Sequence, residues 1–212
     1  MKNTKFTAAA YDYFMLGFEI LLIRKWRKKL WGRVKPPRIL EAGVGTGLNI
    51  PYYRPNYLMT ALDSSEHFLD RARQRAKNKQ VKIEFVKGNV QNLPFSADIF
   101  DSAVTSFLFC QLSNPLQGLQ EIHRVLKPGG KLLLLEHVRP QGRMEKLASS
   151  LSKPVYRIFG DHIARDTTAL TEKAGFSNVT STPLFMNLVK LIEAEKASFS
   201  AHSDKFSLVK KN

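Results

Sequence analysis

The sequence is poor in cysteine, and it contains no long apolar run. Its single cysteine, Cys110, excludes an internal disulfide bond and fits a reducing compartment, where we expect it to be a small apolar packing residue. No stretch of about 18 apolar residues is present, so no membrane-spanning helix is expected. The first residues also lack the basic, apolar and small-residue order of a secretory signal peptide.

Histidine and acidic residues are scarce as well. The five histidines are scattered at no spacing typical of metal ligands, so we expect no metal site. Aspartate and glutamate number 18 against 33 lysines and arginines, which gives a formal net charge of +15. This imbalance favours an anionic partner. The partner could be nucleic acid, an acidic membrane surface or an acidic small molecule.

The residue pattern divides the chain into three segments. Residues 1–35 predict an amphipathic helical arm, residues 36–196 one α/β domain, and residues 197–212 a polar tail. Between about 38 and 138, short apolar runs alternate with amphipathic segments. This alternation predicts a doubly wound, mainly parallel sheet.

Five apolar runs are strand candidates: RILEAG, YLMTALD, VKIEFVKG, DIFDSAVTSF and GKLLLLEHV. Two segments between them, SSEHFLDRARQRAKNK and NPLQGLQEIHRVLK, have helical spacing. Ser64 or Ser65 is the expected N-cap of the first helix, and Asn114 that of the second, with Pro115 in its first turn. A helical insertion at about 141–160 follows, then a helix in RDTTALTEKAG and two strands near 178–185 and 187–194.

Three glycines, Gly43, Gly45 and Gly47, follow the first strand candidate directly, behind the acidic Glu41. Glycines at the carboxyl end of a parallel strand permit a tight turn and a close approach of ligand to main chain. Asp63 ends the second strand candidate, 20 residues after Gly43, a spacing at which an acid commonly holds a ribose diol. The glycine spacing is G-x-G-x-G rather than G-x-G-x-x-G, and this argues against a dinucleotide site.

Together the motifs LEAGVGTGLN, ALDSS, KGNVQNLPF, FDSAVTSF and RVLKPGGKLLLLE resemble those of class I S-adenosylmethionine-dependent methyltransferases. The resemblance covers about residues 38–138. It implies a seven-stranded sheet with an antiparallel last strand, and S-adenosylmethionine as the cofactor. The acidic Glu41 and Asp63 suit this ligand, which carries a sulfonium and an amine, better than they suit a pyrophosphate.

The resemblance also implies which residues bind the cofactor. The glycine loop would pack against the methionine part, and Thr105 would lie near its amino group. Asp63 would bind both ribose hydroxyls. Asn89 and Val90 would contact the edge of the adenine ring. The family usually has aspartate at the position of Asn89, but an amide oxygen still accepts from the adenine amino group. The full implied set is Tyr11, Glu41, Gly43, Gly45, Gly47, Asn49, Asp63, Ser64, Asn89, Val90 and Thr105.

The implied reaction is an in-line displacement, in which positioning in a desolvated pocket supplies most of the catalysis. An amine acceptor must be deprotonated first, so a nearby base helps. Glu136 and His137 end the fifth strand candidate, and His137 is a suitable proton acceptor, although a hydrogen bond to backbone is its alternative role. The stretch AAAYDYFML resembles the N-terminal lid of small-molecule and lipid methyltransferases, in which Tyr11 and Tyr13 would close over the site. His137, Glu136 and Tyr13 are therefore the catalytic candidates.

The arm carries aromatic and cationic residues together. FEILLIRKWRKKLWGRVK places four apolar residues at four-residue spacing with five cations between them: Phe18, Leu22, Trp26 and Leu30, and Arg24, Lys25, Arg27, Lys28 and Lys29. This pattern is typical of an interfacial helix on anionic lipid, and it predicts a cytoplasmic protein that associates peripherally with the membrane. The alternative is a helix packed on its own domain with a solvated basic face.

Within the family, the chain most resembles bacterial phospholipid N-methyltransferases and their quinone-methylating relatives, and it also resembles a thiol-methylating branch. The features that carry this resemblance are the tyrosine lid, LLEHVRP, the RDT helix and AGF. The first expectation is methylation of the phosphatidylethanolamine amine, with a quinone precursor or a small thiol as alternatives. Charge alone favours RNA methylation, but the fourth strand candidate lacks the Asp/Asn-Pro-Pro-aromatic motif used on base amines. A non-catalytic cofactor-binding domain would need a decayed pocket, and the intact glycines argue against it.

Overall fold

The computed structural model describes residues 23–137, 165–185 and 189–198. The helices are α1 (Arg24–Trp31), α2 (Glu66–Lys79), α3 (Pro115–Val125) and α4 (Thr167–Lys173), and Ile50–Tyr52 form a 3₁₀ turn. The strands are β1 (Arg38–Ala42), β2 (Leu58–Asp63), β3 (Ile83–Lys87), β4 (Phe100–Ser106), β5 (Leu126–His137), β6 (Ser177–Phe185) and β7 (Val189–Glu195). The insertion predicted near 141–160 and most of the polar tail lie outside the described residues.

All seven strands belong to one sheet in the order β3-β2-β1-β4-β5-β7-β6. Strands β1 to β5 pair in parallel, and β7 runs antiparallel to both of its neighbours. The seven-stranded sheet with an antiparallel last strand is therefore confirmed. Because the strand order reverses between β1 and β4, the switch point at which such sheets bind ligands lies at the carboxyl ends of these two strands.

The sheet is buried on both faces. In β5, Leu133 and Leu135 join an apolar layer that also contains residues of α1 and α2, whereas Leu132 and Leu134 join a layer that contains residues of α3. Successive side chains of a strand point to opposite faces, so a continuous run of leucines supplies both layers. Helices on both faces confirm the doubly wound architecture.

Asn114 and Ser65 both occupy the expected N-cap positions, but only Asn114 makes a side-chain cap bond. The Asn114 side chain accepts the Gln117 N–H at the start of α3, with Pro115 in the first turn. Ser65 occupies the N-cap position of α2 without a side-chain cap bond, and its own N–H donates to Asp63 Oδ1 at 2.9 Å. In place of a serine side-chain cap, the hydrogen bond from the Ser65 N–H to Asp63 links the start of α2 to the end of β2.

Helix α1 packs its apolar face against the domain. Leu30 and Trp31 are buried, Trp26 packs against the same layer, and the Trp31 ring lies 4.6 Å from that of Tyr53. Arg27 is turned inward and is 4% exposed. In this part of the arm the apolar stripe thus covers the domain rather than facing lipid, which corrects the interfacial-helix interpretation for residues 24–31.

The outward face of α1 is basic. Arg24, Lys25, Lys28 and Lys29 are all exposed. No helix among the described residues is long and apolar enough to cross a bilayer. This stretch therefore presents a cationic surface to its surroundings.

Candidate functional site

A cavity of about 280 Å³ opens at the carboxyl ends of β1, β2 and β4, where the switch point was expected. Five residues of the predicted set line it: Glu41, Gly43, Gly45, Asn49 and Asp63. Its volume is slightly below the lower bound of about 300 Å³ that is typical of small-ligand pockets. The parallel topology therefore brings together the two acids and the glycine loop that the sequence marked.

The three glycines have positive φ angles but different surroundings. A Cβ on Gly45 (φ +54°) would meet no atom within 4 Å, so this residue presents open main chain to the cavity. A Cβ on Gly43 would lie 2.8 Å from a methyl carbon of Leu108. On Gly47 it would lie 2.6 Å from Ile50 and 3.1 Å from the backbone of Ala72. The missing side chain of Gly47 therefore lets the loop pack on α2, whereas the missing side chain of Gly45 leaves space in the cavity for a ligand.

Asp63 fixes the glycine loop. Its Oδ2 accepts the Gly45 N–H at 2.9 Å, and its Oδ1 accepts the Ser65 N–H at 2.9 Å. Burial raises the pKa of the Asp63 carboxyl, and these backbone donors oppose the rise. Each carboxylate oxygen has a further lone pair, so the group can accept hydroxyl donors while it holds the loop.

Glu41, the penultimate residue of β1, lies in a buried polar network. Its carboxylate accepts the Asn49 Nδ2 at 2.6 Å and the hydroxyl of Tyr53. Asn49 in turn accepts Arg27 Nη1 on its Oδ1 at 2.8 Å. Burial raises the pKa of Glu41 to about 7 despite these donors and the Arg27 charge. Asn49, predicted to bind the cofactor, lines the cavity but also joins Glu41 to Arg27.

The pKa of Glu41 predicts a pH-dependent affinity. Glu41 becomes ionised as the pH rises from 6 to 7.5, so it attracts the ammonium group of the ligand more strongly. We expect the affinity for S-adenosylhomocysteine, measured by calorimetry, to rise by about five- to tenfold over this range. The same raised pKa means that the contribution of Glu41 to folding stability is full below pH 4.5 and is lost as the pH rises through 7.

The matched control for this titration is Glu41→Gln, which removes the ionisation and keeps the side-chain length. Its affinity should stay flat between pH 6 and 7.5. An equal rise in the variant would assign the pH dependence to another group.

Glu136 lies behind the cavity wall. Its Oε1 accepts the N–H groups of Leu108 and Phe109 at 2.9 and 3.2 Å, and the Thr105 hydroxyl at 3.3 Å. Glu136 and Thr105 are both fully buried, and neither lines the cavity. Glu136 thus holds the loop after β4, and Thr105 donates to it from the neighbouring strand. The catalytic role of Glu136 and the contact of Thr105 with the cofactor stay predictions.

His137 also lies behind the residues that line the cavity. Its ring lies 4.7 Å from that of Phe107, which lines the cavity. Burial lowers the pKa of His137 to about 4, so the imidazole is neutral at pH 7 but weakly basic. Its Nδ1 finds no hydrogen-bond partner among the described residues. The role of His137 as a proton acceptor stays a prediction, and in this arrangement its imidazole is a weak base.

The other predicted cofactor residues within the described ranges do not line the cavity. Asn89 is exposed and its Oδ1 accepts the Gln91 N–H at 2.9 Å, while Val90 is buried in the apolar layer beside α3. Ser64 is exposed directly after Asp63. Tyr11 and Tyr13 lie outside the described residues, so the lid interpretation stays a prediction.

Arg27 and Tyr53 were missed by the reasoning from sequence. Both are buried next to Glu41, and Arg27 lines the cavity. Arg27 lies four residues after Ile23 and four before Trp31, which are both buried, so helical spacing alone places it on the inward face. That signal was present, but it was hidden by the four exposed cations around it.

Comparison with known proteins places these features in a family context. A methyltransferase-domain family model matches residues 40–134. A thiol S-methyltransferase of Rattus norvegicus is 36% identical and aligns over 72% of this chain and 65% of its own length. The Mus musculus thiol S-methyltransferase is 31% identical over 80% of this chain and 76% of its own length.

Two bacterial relatives carry other names. A demethylmenaquinone methyltransferase of Deinococcus radiodurans is 32% identical over 74% of this chain and 64% of its own length. A phosphatidylethanolamine N-methyltransferase of Cereibacter sphaeroides is 31% identical over 55% of this chain and 59% of its own length. The chain spans slightly less than two thirds of the length of the rat and Deinococcus relatives.

A solved structure shows the same fold at lower identity. An S-adenosylmethionine-dependent methyltransferase of Thermotoga maritima, described as a possible histamine N-methyltransferase, superposes with a TM-score of 0.71 at 20% identity. The match covers 91% of this chain and 97% of that one.

Proposed function

Because this chain belongs to the class I S-adenosylmethionine-dependent methyltransferases, we propose that it binds S-adenosylmethionine beside Gly45 and transfers its methyl group to a small acceptor. The observation that supports this most is the meeting of Gly45, Glu41 and Asp63 in one cavity. Open main chain at Gly45 allows a close approach, and two buried acids complement a ligand with cationic groups and a ribose diol.

The residues around the cavity have distinct roles in this proposal. When bound, S-adenosylmethionine supplies an electrophilic methyl group on a sulfonium. Asp63 accepts the ribose hydroxyls and keeps its bond to the Gly45 N–H. Glu41, ionised above about pH 7, supplies negative charge. Phe107 and Leu108 form an apolar wall that excludes water, and exclusion of water strengthens electrostatic interactions within the site.

The proton balance favours a thiol as the acceptor. A thiol with a pKa of about 8.5 is a few per cent thiolate at pH 7, and the thiolate attacks without an enzyme base. A primary ammonium has a pKa of about 10.4, some six pK units above the pKa of about 4 of His137. Proton transfer between them would cost on the order of 8 kcal/mol. The thiol S-methyltransferase relatives agree with this choice.

The phosphatidylethanolamine amine, which the sequence motifs placed first, becomes the second candidate. Its support is the exposed basic face of α1, which suits an anionic lipid surface, and the Cereibacter relative of that name. A quinone precursor is the third class to test, since the Deinococcus relative is named for one.

Methyl transfer identifies the acceptor directly. The protein is incubated with methyl-labelled S-adenosylmethionine and, separately, with a small thiol whose pKa is about 8.5, phosphatidylethanolamine vesicles, a demethylmenaquinone or total RNA. We expect label in the thiol, and much less with the Asp63→Ala variant when the cofactor concentration is near the dissociation constant of the unmodified protein. Label only in the lipid would move the amine to first place. No label in any fraction from a protein that binds the cofactor would contradict methyl transfer to these classes.

Peripheral membrane association is part of the proposal, and it rests on charge. We expect the protein to co-sediment with vesicles of anionic lipid and to be released by salt, because exposed charges are screened. Replacing the four exposed cations of α1 with glutamine should weaken sedimentation at least tenfold, since each cation near such a surface contributes about 1 kcal/mol. The positions are Arg24, Lys25, Lys28 and Lys29. Arg27 stays unchanged because it is buried at the cavity.

The matched control removes four exposed cations from another surface. Its positions are Arg71, Lys77, Lys79 and Lys82. An equal loss in the control would show that net charge, rather than the α1 face, drives binding. Equal sedimentation with neutral vesicles would contradict an electrostatic attachment.

A further inference from the structure

Arg165, the first residue of the RDT stretch before α4, has so far no task in the proposed reaction. Its Nη1 donates to the carbonyl oxygens of Phe109 and Leu112 at 2.7 and 2.6 Å. This nitrogen carries two N–H groups, so it can serve both carbonyls at once, and the positive charge of the guanidinium strengthens each bond. Arg165 thus holds two points of the loop that joins β4 to α3.

The start of α4 fixes the place of Arg165. The side chain of Asp166 caps the helix by accepting the Ala169 N–H at 3.0 Å. Thr167 and Thr171 are buried, and the Thr171 hydroxyl donates to the Thr167 carbonyl at 2.7 Å. The capped first turn is therefore anchored in the domain, and the residue just before it is held beside the loop.

The loop between β4 and α3 forms one wall of the cavity, which Phe107, Leu108 and Gln111 line. Leu108 lies directly over Gly43, since a Cβ on that glycine would lie 2.8 Å from a Leu108 methyl carbon. Phe107 has a φ of +55°, a conformation that residues with a side chain rarely adopt. Such a backbone persists only where the surrounding contacts hold it. The wall therefore depends on the groups that bind its main chain.

An acidic and a basic side chain bind the main chain of this loop. Glu136 accepts the N–H groups of Leu108 and Phe109 from the end of β5. Arg165 donates to the carbonyls of Phe109 and Leu112 from the start of α4. The two partners lie on separate elements, so removal of the arginine leaves the loop held through its N–H groups alone.

We propose that Arg165 is a positioning residue for methyl transfer, which keeps the apolar wall of Phe107 and Leu108 closed over the cavity. This inference rests on the proposed function and deepens it. A misplacement of about 1 Å at a reacting site can cost on the order of 100-fold in rate, so a loosened wall slows transfer. Gly45 and Asp63 lie at the ends of two other strands, so the affinity for the cofactor depends much less on Arg165.

Hydrogen exchange and steady-state kinetics test this role together. Arg165→Met keeps an apolar stem and removes the donors, so the Leu108 and Phe109 amides should exchange about tenfold faster or more in the unliganded protein. Turnover at saturating S-adenosylmethionine, with a small thiol whose pKa is about 8.5 as acceptor, should fall roughly 10- to 100-fold. The affinity for S-adenosylhomocysteine should change less than about threefold. Arg165→Lys should recover part of the turnover, because an ammonium group still donates hydrogen bonds.

Arg124→Met is the matched control. Arg124 also donates to two carbonyls of a loop, those of Phe95 and Leu93 at 2.7 and 3.1 Å, but neither residue lines the cavity. Amide exchange should become faster in that loop, whereas turnover at saturating cofactor should stay within about threefold of the unmodified protein. Where the transfer assay labels the lipid or the quinone precursor instead of the thiol, the variants are compared with that acceptor.

Unchanged exchange of the loop amides in Arg165→Met, or faster exchange with full turnover, would overturn the proposal. An equal fall in turnover in Arg124→Met would also overturn it, because a general loss of stability would then explain both variants. These outcomes leave the proposed function intact, since the unmodified protein still binds the cofactor and transfers the methyl group. An unmodified protein that fails to bind S-adenosylhomocysteine or to methylate any acceptor would overturn the proposed function and, with it, this inference.

Discussion

Gly45→Val is expected to weaken S-adenosylmethionine binding by about 3 kcal/mol or more, which is roughly 150-fold. A Cβ on Gly45 would meet no protein atom within 4 Å, so the valine side chain would occupy the open space that the ligand needs. The φ of +54° adds backbone strain of about 1–2 kcal/mol for a branched residue. Calorimetry measures the affinity, and urea unfolding measures the strain.

Gly129→Val is the matched control for strain. Gly129 also has a positive φ, +71°, and a Cβ there would lie 4.0 Å from Ser198. It lies near the start of β5, away from the carboxyl ends of the strands where the cavity opens. Its variant should lose similar stability and keep its affinity. Equal weakening of binding in both variants would show that strain, rather than blocked access at Gly45, causes the loss.

Asp63→Ala is expected to weaken cofactor binding by about 1.5–3 kcal/mol, or roughly 10- to 150-fold. The change removes a charged acceptor of two ribose hydroxyls, and it also releases the Gly45 N–H and the Ser65 N–H. Titration with S-adenosylhomocysteine measures the loss. Asp63→Asn keeps part of the acceptor and should fall between the alanine variant and the unmodified protein.

Asp70→Ala is the control for the loss of one negative charge. Asp70 is exposed on α2 and pairs with Arg73 at 2.9 Å, outside the cavity. Its affinity should be unchanged. Unchanged titration curves for both Asp63→Ala and Gly45→Val would refute the placement of the cofactor in this cavity.

Much of the fold followed from periodicity because the sheet is parallel and buried. The leucine run of β5, the alternating strands and helices, and the cap at Asn114 are local signals, and the structure confirms them. Glu41 and Asp63 could be placed together in advance, since neighbouring parallel strands end at one edge of the sheet. The last two strands were predicted within one or two residues at each end.

The side chains of the site were harder to predict because their directions depend on packing. Arg27 and the cations around it look alike in the sequence, and only the docking of α1 separates the buried one from the exposed ones. Glu136 and His137 are adjacent at a strand end, yet strand alternation sends them to opposite faces. The loop after β4 then folds over the carboxylate of Glu136, and this contact has no local signature in the sequence.

A crystal structure of the protein with S-adenosylhomocysteine tests the central claim most directly, because the claim is that one cavity binds this ligand. We expect the ligand beside Gly45, with both ribose hydroxyls within hydrogen-bond distance of the Asp63 carboxylate. A ligand bound elsewhere, or a cavity that stays empty at a saturating concentration, would contradict the account.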